Sequence, residues 1–90
     1  MPRPRQPSPQ TRRLLVVLLG EPLQWRHGYV LSRASGLSAG TLYPLLRRLK
    51  ERGMLESRWE QPSRDGRPPR HLHRLSARGV EFARGTTGAA

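Results

Sequence analysis

Arginine side chains dominate the groups in this sequence that could take part in chemistry. The 90 residues contain 17 Lys and Arg against 6 Asp and Glu, a formal net charge of +11. All of the basic residues except Lys50 are arginines. A planar guanidinium can donate paired hydrogen bonds to a phosphate or to the edge of guanine. This excess in so short a chain predicts a polyanionic partner, with nucleic acid favoured over a membrane surface.

The remaining polar residues do not indicate catalysis or metal binding. His71 and His73 flank Leu72, so a strand would point both rings the same way. Two histidines without a third ligand are a weak metal signal, and we expect an exposed pair near the nucleic acid. Glu51 and Glu56 are better explained as partners of nearby arginines. The serines lack evident His and acidic partners and the chain has no Cys, so we predict no enzyme activity, metal or cofactor.

The most regular element that could position the arginines is a helix over residues 38–53. Four leucines at i, i+3, i+4 and i+7 form one apolar stripe along it: Leu42, Leu45, Leu46 and Leu49. Ser38 is a suitable N-cap and Gly53 a suitable C-cap. Gly40 and Pro44 are poor formers of a helix interior, and both lie opposite the leucines. A packing kink is one explanation; close approach to a groove is the one we favour.

We expect the face opposite the leucines to contact nucleic acid. The helix N-terminus also offers free N–H groups and the positive end of the helix dipole to phosphate. The predicted contact residues on this helix are Ser38, Gly40, Thr41, Tyr43, Pro44, Arg47 and Arg48.

Shorter elements complete one small domain. The predicted elements are a disordered basic arm over residues 1–10, a helix over 11–20 starting near Gln10 or Thr11 and capped by Gly20, a helix over 27–34 ended by Gly36, the helix over 38–53, a strand over 54–61, a loop over 62–69, a strand over 70–75, a helix over 77–84 capped by Ser76, and a frayed tail over 85–90. Two helices joined by a tight turn, followed by a hairpin, form a winged helix-turn-helix. The predicted fold is therefore mainly α with a small two-stranded β-hairpin, over residues 11–84.

The loop between the two strands is the predicted wing. Pro62 and the Pro68–Pro69 pair stiffen its ends, and Asp65–Gly66 supplies a turn. We expect its arginines to touch phosphates or reach the minor groove, although a solvated loop is the alternative. These residues are Arg64 and Arg67 at the tip and Arg70 at the base.

The first helix contains the one apolar run of the sequence, "LLVVLLG" over residues 14–20, which is far too short to span a bilayer. Arg12 and Arg13 precede this apolar run, which is a weak match to a twin-arginine export signal, and no small-residue cleavage site follows it. We therefore predict a cytoplasmic protein with no membrane partner. A helix apolar all round is buried on more than one side, which predicts a homodimer. The expected interface consists of Leu14, Leu15, Val17, Leu18, Val80 and Phe82. Trp25 and Trp59 are expected to anchor the core or an interface.

Two stretches resemble a known family. "GTLYPLLRRL" over residues 40–49 and "GRPPRHLHRLSARG" over residues 66–79 are similar to the PadR-like winged-helix transcriptional regulators, and the similarity runs from about His27 to Gly79. The resemblance implies a bacterial repressor that binds a palindromic operator on double-stranded DNA as a dimer. It also implies that Tyr43, Pro44 and the start of their helix face DNA, with the wing on the backbone. Such proteins usually continue into a longer C-terminal helical region that dimerises and helps form an effector pocket; here only residues 77–84 are predicted to be helical after the wing.

Three hypotheses for function stay open. The favoured one is a sequence-specific transcriptional regulator that acts as a repressor. The second is an architectural or mobile-element DNA-binding protein, which would lack a clear preference for one sequence over random DNA. The third is an RNA-associated basic protein, against which the shortage of exposed aromatics on a predicted sheet counts. The residues themselves do not support a small-molecule effector, and the operator and regulated genes cannot be derived from them.

Overall fold

Four helices and a small sheet make up the protein, whose computed structural model describes residues 7–88. The elements are α1 (Pro9–Gly20), β1 (Arg26–His27), α2 (Gly28–Ser35), α3 (Ala39–Glu51), β2 (Leu55–Trp59), β3 (His71–Leu75) and α4 (Ala77–Thr87). The sheet is antiparallel, in the order β1-β3-β2. The predicted winged helix-turn-helix is confirmed, with one strand more than expected. Within residues 7–88, none of the helices is long and apolar enough to cross a membrane.

Helix α1 begins at Pro9, earlier than the predicted start near Gln10 or Thr11, because Ser8 caps it. The Ser8 Oγ accepts a hydrogen bond from the Thr11 N–H at 3.1 Å, and Pro9 takes the first helical position, where a missing N–H costs nothing. Pro9 and Gln10 are therefore helical and not part of the predicted arm, whose first six residues lie outside the described residues.

The C-terminal ends of α1 and α3 differ from the predicted caps, since α3 ends at Glu51 and Arg52, not Gly53, takes its C-cap. Gly20 is the last residue of α1 and Glu21 takes the C-cap, which corrects the assignment of Gly20. Gly36 ends α2 with a φ of 74°, in the left-handed region that favours glycine. Helix α4 continues to Thr87, so the predicted tail starts three residues too early, and residues 89–90 lie outside the described residues.

A leucine-rich core joins the helices to the sheet. The four leucines of α3 are at most 7% exposed, which confirms the predicted stripe. Leu14, Leu15 and Leu18 of α1 are 0–1% exposed and belong to the same core. Their placement at a dimer interface is therefore wrong, because these side chains are covered within one chain. Val17, Val80 and Phe82 are only partly buried against the core.

The strand that the sequence did not predict is β1. It has only two residues, too few to show the alternating pattern of a strand. It pairs with β3 through Arg26 opposite His73 and His27 opposite Leu72. The Arg26 Nη2 atom donates to the carbonyl of Val17 at 2.8 Å, near the C-terminus of α1. Helix carbonyls there lack partners within the helix, so this contact satisfies one of them and ties the sheet to α1.

Neither tryptophan is buried in the core, so the core alternative is wrong for both and the interface alternative stays a prediction. Trp25 packs against the guanidinium groups of Arg58 and Arg74, whose Cζ atoms are 4.5 and 4.3 Å from the ring centroid. Trp59 shares a sheet face with buried Leu55, as predicted, yet it is 67% exposed. The reason is that the hairpin extends beyond the core, so Trp59, at the far end of β2, has no core residues to cover it.

Candidate nucleic-acid interface

A tight turn fixes α3 against α2. Gly36 ends α2, and the Ser35 Oγ accepts a hydrogen bond from the Leu37 N–H at 3.2 Å while donating to the Leu31 carbonyl at 2.7 Å. Ser38 then occupies the predicted N-cap position of α3. With its leucine stripe buried, α3 can present its opposite side to a partner.

The predicted contact residues of α3 are all at the surface, but they do not form one patch. Ser38, Gly40, Thr41, Tyr43, Arg47 and Arg48 are exposed, and Pro44 is half-buried. Arg47 lies on the flank that faces the sheet, beside Tyr43 and Lys50. Arg48 lies on the other flank, beside the start of α1 and Phe82 of α4. A helix turns by about 100° per residue, so two consecutive arginines diverge from each other.

Gly40 and Pro44 do not break α3, which runs without interruption from Ala39 to Glu51. A β-carbon built on Gly40 meets no atom within 4 Å in the described part of the chain. Packing within this chain therefore does not require glycine at this position. Close approach to a groove therefore stays the predicted reason for a residue without a side chain here.

The predicted wing residues lie on the exposed loop between β2 and β3. The loop turns at Gly66, which has a φ of 77°. The Arg67 Nε atom lies 3.0 Å from Asp65 Oδ2, and the Arg70 Nε atom lies 3.3 Å from Glu60 Oε1. Arg64 has no carboxylate partner among residues 7–88. Two of the three predicted wing cations are thus paired within the chain.

The paired carboxylates are held in their charged form. A side-chain hydrogen bond from Arg70 lowers the pKa of Glu60. Hydrogen bonds from the Ser63 hydroxyl and the Arg67 N–H lower the pKa of Asp65. Glu56 lies 3.7 Å from the Nε atom of Arg74, as expected for a carboxylate that accompanies arginine.

The structure adds a site that sequence reasoning missed, in the space between α3 and the sheet. We call this space of about 240 Å³ the notch, and it is lined by Tyr43, Leu46, Arg47, Lys50, Ser57, His71 and His73. The register pairs Ser57 with His73 and Trp59 with His71. These residues therefore share the sheet face that looks toward α3. Side chains alternate between the two faces of β2 and β3, so the sequence could show which residues share a face. It could not show which of the two faces meets α3.

The two histidines of the notch differ in environment. His73 is 4% exposed, and its Nδ1 atom lies 2.9 Å from the Ser57 Oγ. Burial lowers the pKa of His73 to about 4. His71 is half-buried and stacks on Trp59, with ring centroids 4.6 Å apart. The expectation of an exposed histidine pair is therefore wrong for His73. No group of three metal-ligating side chains occurs between residues 7 and 88.

Solved structures share this fold and its helix–wing arrangement. The PcaV transcriptional regulator from Streptomyces coelicolor, in complex with its natural ligand, aligns with a TM-score of 0.73 and 27% identity over 93% of this chain and 55% of that one. A PadR-like transcription factor from Bacteroides fragilis aligns with a TM-score of 0.68 and 26% identity over 88% of this chain and 77% of that one. MepR from Staphylococcus aureus, in a DNA-binding conformation, is 17% identical, with a TM-score of 0.70 over 91% of this chain and 57% of that one, and supports the fold alone.

Sequence comparison agrees with the fold. The chain spans about half the length of PcaV. No curated protein matches it. Residues 14–84 match the model of the transcriptional regulator PadR-like family. Because that match includes α3, the wing and most of α4, the protein belongs to the PadR-like family of transcriptional regulators.

Proposed function

We propose that this protein is a repressor that binds a palindromic DNA operator as a homodimer, using α3 for sequence recognition and the wing for backbone contacts. The observation that carries the proposal is that α3 and the hairpin border one notch, with exposed cations on each. Arg47 and Lys50 lie on the helix, and the wing carries Arg64 and Arg67. A net charge of +11 supports a polyanion as the partner.

The exposed side of α3 suits the major groove of DNA. Tyr43 and Arg47 would face the bases on the wing side, and the small Gly40 and Pro44 would allow close approach. Arg48 would meet the opposite strand or its backbone. The arginines of the wing would then follow the adjacent minor groove or its phosphates, which position a protein without reading the sequence.

Partly exposed apolar residues on α1 and α4 support a dimer. Val16 is 55% exposed, and Val17, Val80 and Phe82 are only half-buried. Pairing across this surface through a twofold axis would place the two copies of α3 about one turn of DNA apart, roughly 34–36 Å.

Selection of bound fragments from a pool of random duplexes tests the proposal. We expect an inverted repeat whose half-sites are about 10 base pairs apart. Sedimentation should give two copies of the chain per operator. A monomer at micromolar concentration with one chain per operator would contradict the dimer. Equal affinity for every duplex would indicate an architectural protein, and preference for RNA an RNA-associated one.

Two arginine variants then test the placement of α3. Arg47→Ala should cost about 1–3 kcal/mol of binding free energy and relax the preference at one base pair, if Arg47 reads a guanine. Arg48→Ala is the matched variant on the other flank, and we expect it to weaken all sequences by similar factors. If both variants keep the affinity and sequence preference of the unmodified protein, α3 is not the recognition helix.

A further inference from the structure

The notch between α3 and the sheet carries positive charge without a counter-ion. Arg47 and Lys50 face it from α3, together with Tyr43, and Ser57, His71 and His73 face it from the sheet. Among residues 7–88, no carboxylate lines it. Two carboxylates of the hairpin are already in ion pairs, Glu56 with Arg74 and Glu60 with Arg70. A concave surface of this composition suits an anion.

His71 is a titratable group of the notch whose ring nitrogens are available to a ligand. The described residues provide no hydrogen bond to either of its ring nitrogens. One face of the ring stacks on Trp59, and the edge meets His73 at a centroid distance of 4.7 Å. The ring is therefore held in place while its nitrogens are unpaired. His73, by contrast, is buried and bonded to Ser57, so it supports the ring of His71 and stays neutral.

We propose that the notch seats a backbone phosphate of bound DNA and that His71 takes up one proton from solvent as the phosphate enters. The inference rests on the proposed DNA-binding function and adds to it a named phosphate site. The proton goes to the ring nitrogen of His71 that carries no hydrogen in the neutral ring, and no other covalent bond of the protein forms or breaks.

The electrostatics of the notch explain why phosphate and proton arrive together. In the free protein, burial and the positive charge of Lys50 lower the pKa of His71, so the ring is neutral at neutral pH. A phosphate on Lys50 offsets that repulsion and offers a charge-assisted hydrogen bond to the imidazolium. The face of Trp59 also favours a cationic ring. DNA binding therefore raises the pKa of His71, and lower pH strengthens DNA binding.

The test uses the full chain and a short duplex of random sequence, because a phosphate contact does not depend on sequence. We expect affinity to rise as the pH falls through the range in which histidine titrates, by up to about tenfold per pH unit for one proton per chain. Calorimetry in buffers of different ionisation enthalpy should show uptake of that proton. Nuclear magnetic resonance of the three histidine rings should show the pKa of His71 rising when the duplex binds.

Variants assign the proton. His71→Gln should lose the proton uptake and most of the pH dependence. His27→Gln is the matched control, because His27 pairs with Leu72 on the opposite face of the sheet and should leave the pH dependence unchanged. Lys50→Gln should raise the pKa of His71 in the free protein, and it should reduce both proton uptake and affinity.

The outcomes separate the two proposals. If the unmodified protein binds the duplex without proton uptake, or His71→Gln keeps the original pH dependence, the phosphate-and-proton site is wrong while the proposed DNA-binding function stands. If the protein binds no duplex at any pH, both proposals are wrong. Should His71→Gln fail to fold, the ring titration of the unmodified protein, free and bound, decides the question by itself.

Discussion

Tyr43 of α3 lies directly over Gly28, the first residue of α2. A β-carbon built on Gly28 would overlap the Tyr43 hydroxyl and come within 2.8 Å of the ring carbon Cζ. Tyr43 itself is 51% exposed. The absence of a side chain at Gly28 therefore sets the position of an aromatic ring on the predicted recognition face.

Gly28→Ala should displace Tyr43. We expect the added methyl group to cost about 1–3 kcal/mol of stability through overpacking. The cost is smaller if the Tyr43 ring relieves the overlap by moving into solvent. Urea unfolding of Gly28→Ala, Tyr43→Ala and the double variant measures the coupling. The cost of Gly28→Ala should largely disappear in the Tyr43→Ala background. An equal cost in both backgrounds would show that the two residues do not determine each other's placement.

Gly40→Ala should separate stability from DNA binding. Because the added carbon meets no atom of residues 7–88 within 4 Å beyond the neighbouring backbone of its own helix, the variant should gain about 0.5–1 kcal/mol of stability as an alanine in a helix. The same methyl group should weaken operator binding by blocking close approach to the groove. Gly85→Ala in α4 is the matched control, since its added carbon is equally unobstructed. It should gain stability and bind DNA normally. If Gly40→Ala binds DNA with normal affinity, close approach to the DNA groove does not explain the glycine at this position.

The wing should affect all DNA sequences alike. Arg64→Ala should weaken operator and random duplexes by similar factors and lower the salt slope by about one unit, because it removes one phosphate contact. A larger loss on operators with A·T-rich flanks would instead indicate insertion into the minor groove. If the Arg64→Ala, Arg67→Ala double variant keeps the original affinity and slope, the wing does not contact DNA.

Asp65→Asn should have the opposite effect on the wing. It releases Arg67 from its ion pair at 3.0 Å and removes a negative charge near the phosphates. We therefore expect higher affinity for every duplex, most clearly at low salt. Titration of a random duplex at several salt concentrations provides the measurement, and affinity at or below that of the unmodified protein would contradict the assignment of Arg67 to the backbone.

His73 should make the fold sensitive to acid. Its pKa is lowered from 6.5 to about 4 in the folded chain, so the unfolded state binds more protons between these values. Stability is then complete above pH 6.5 and falls as the pH decreases toward 4, by up to about 3 kcal/mol. His73→Gln keeps a polar partner for Ser57 without a titrating ring, and urea unfolding across this range should show a weaker pH dependence. The same dependence in both proteins would assign acid sensitivity to other groups.

Local patterns in the sequence determined most of the fold. The leucine spacing of α3, Gly36 after α2 and the Pro- and Gly-rich wing each act over a few residues, so the helix-turn-helix and the hairpin could be predicted from them. The net charge likewise indicated a nucleic-acid partner, because it depends on composition alone and not on which residues are in contact. The faces of α3 likewise follow from helical period alone.

Only the tertiary structure decided which surfaces are covered. The apolar circumference of α1 predicts a dimer interface, yet Leu14, Leu15 and Leu18 are buried by α2, α3, the sheet and α4 of the same chain. The depth of His73, the exposure of Trp59 and the pairing of β1 with β3 also depend on partners distant in sequence. Periodicity assigns a residue to a face, but which element covers that face depends on long-range packing, and that packing created the notch around His71.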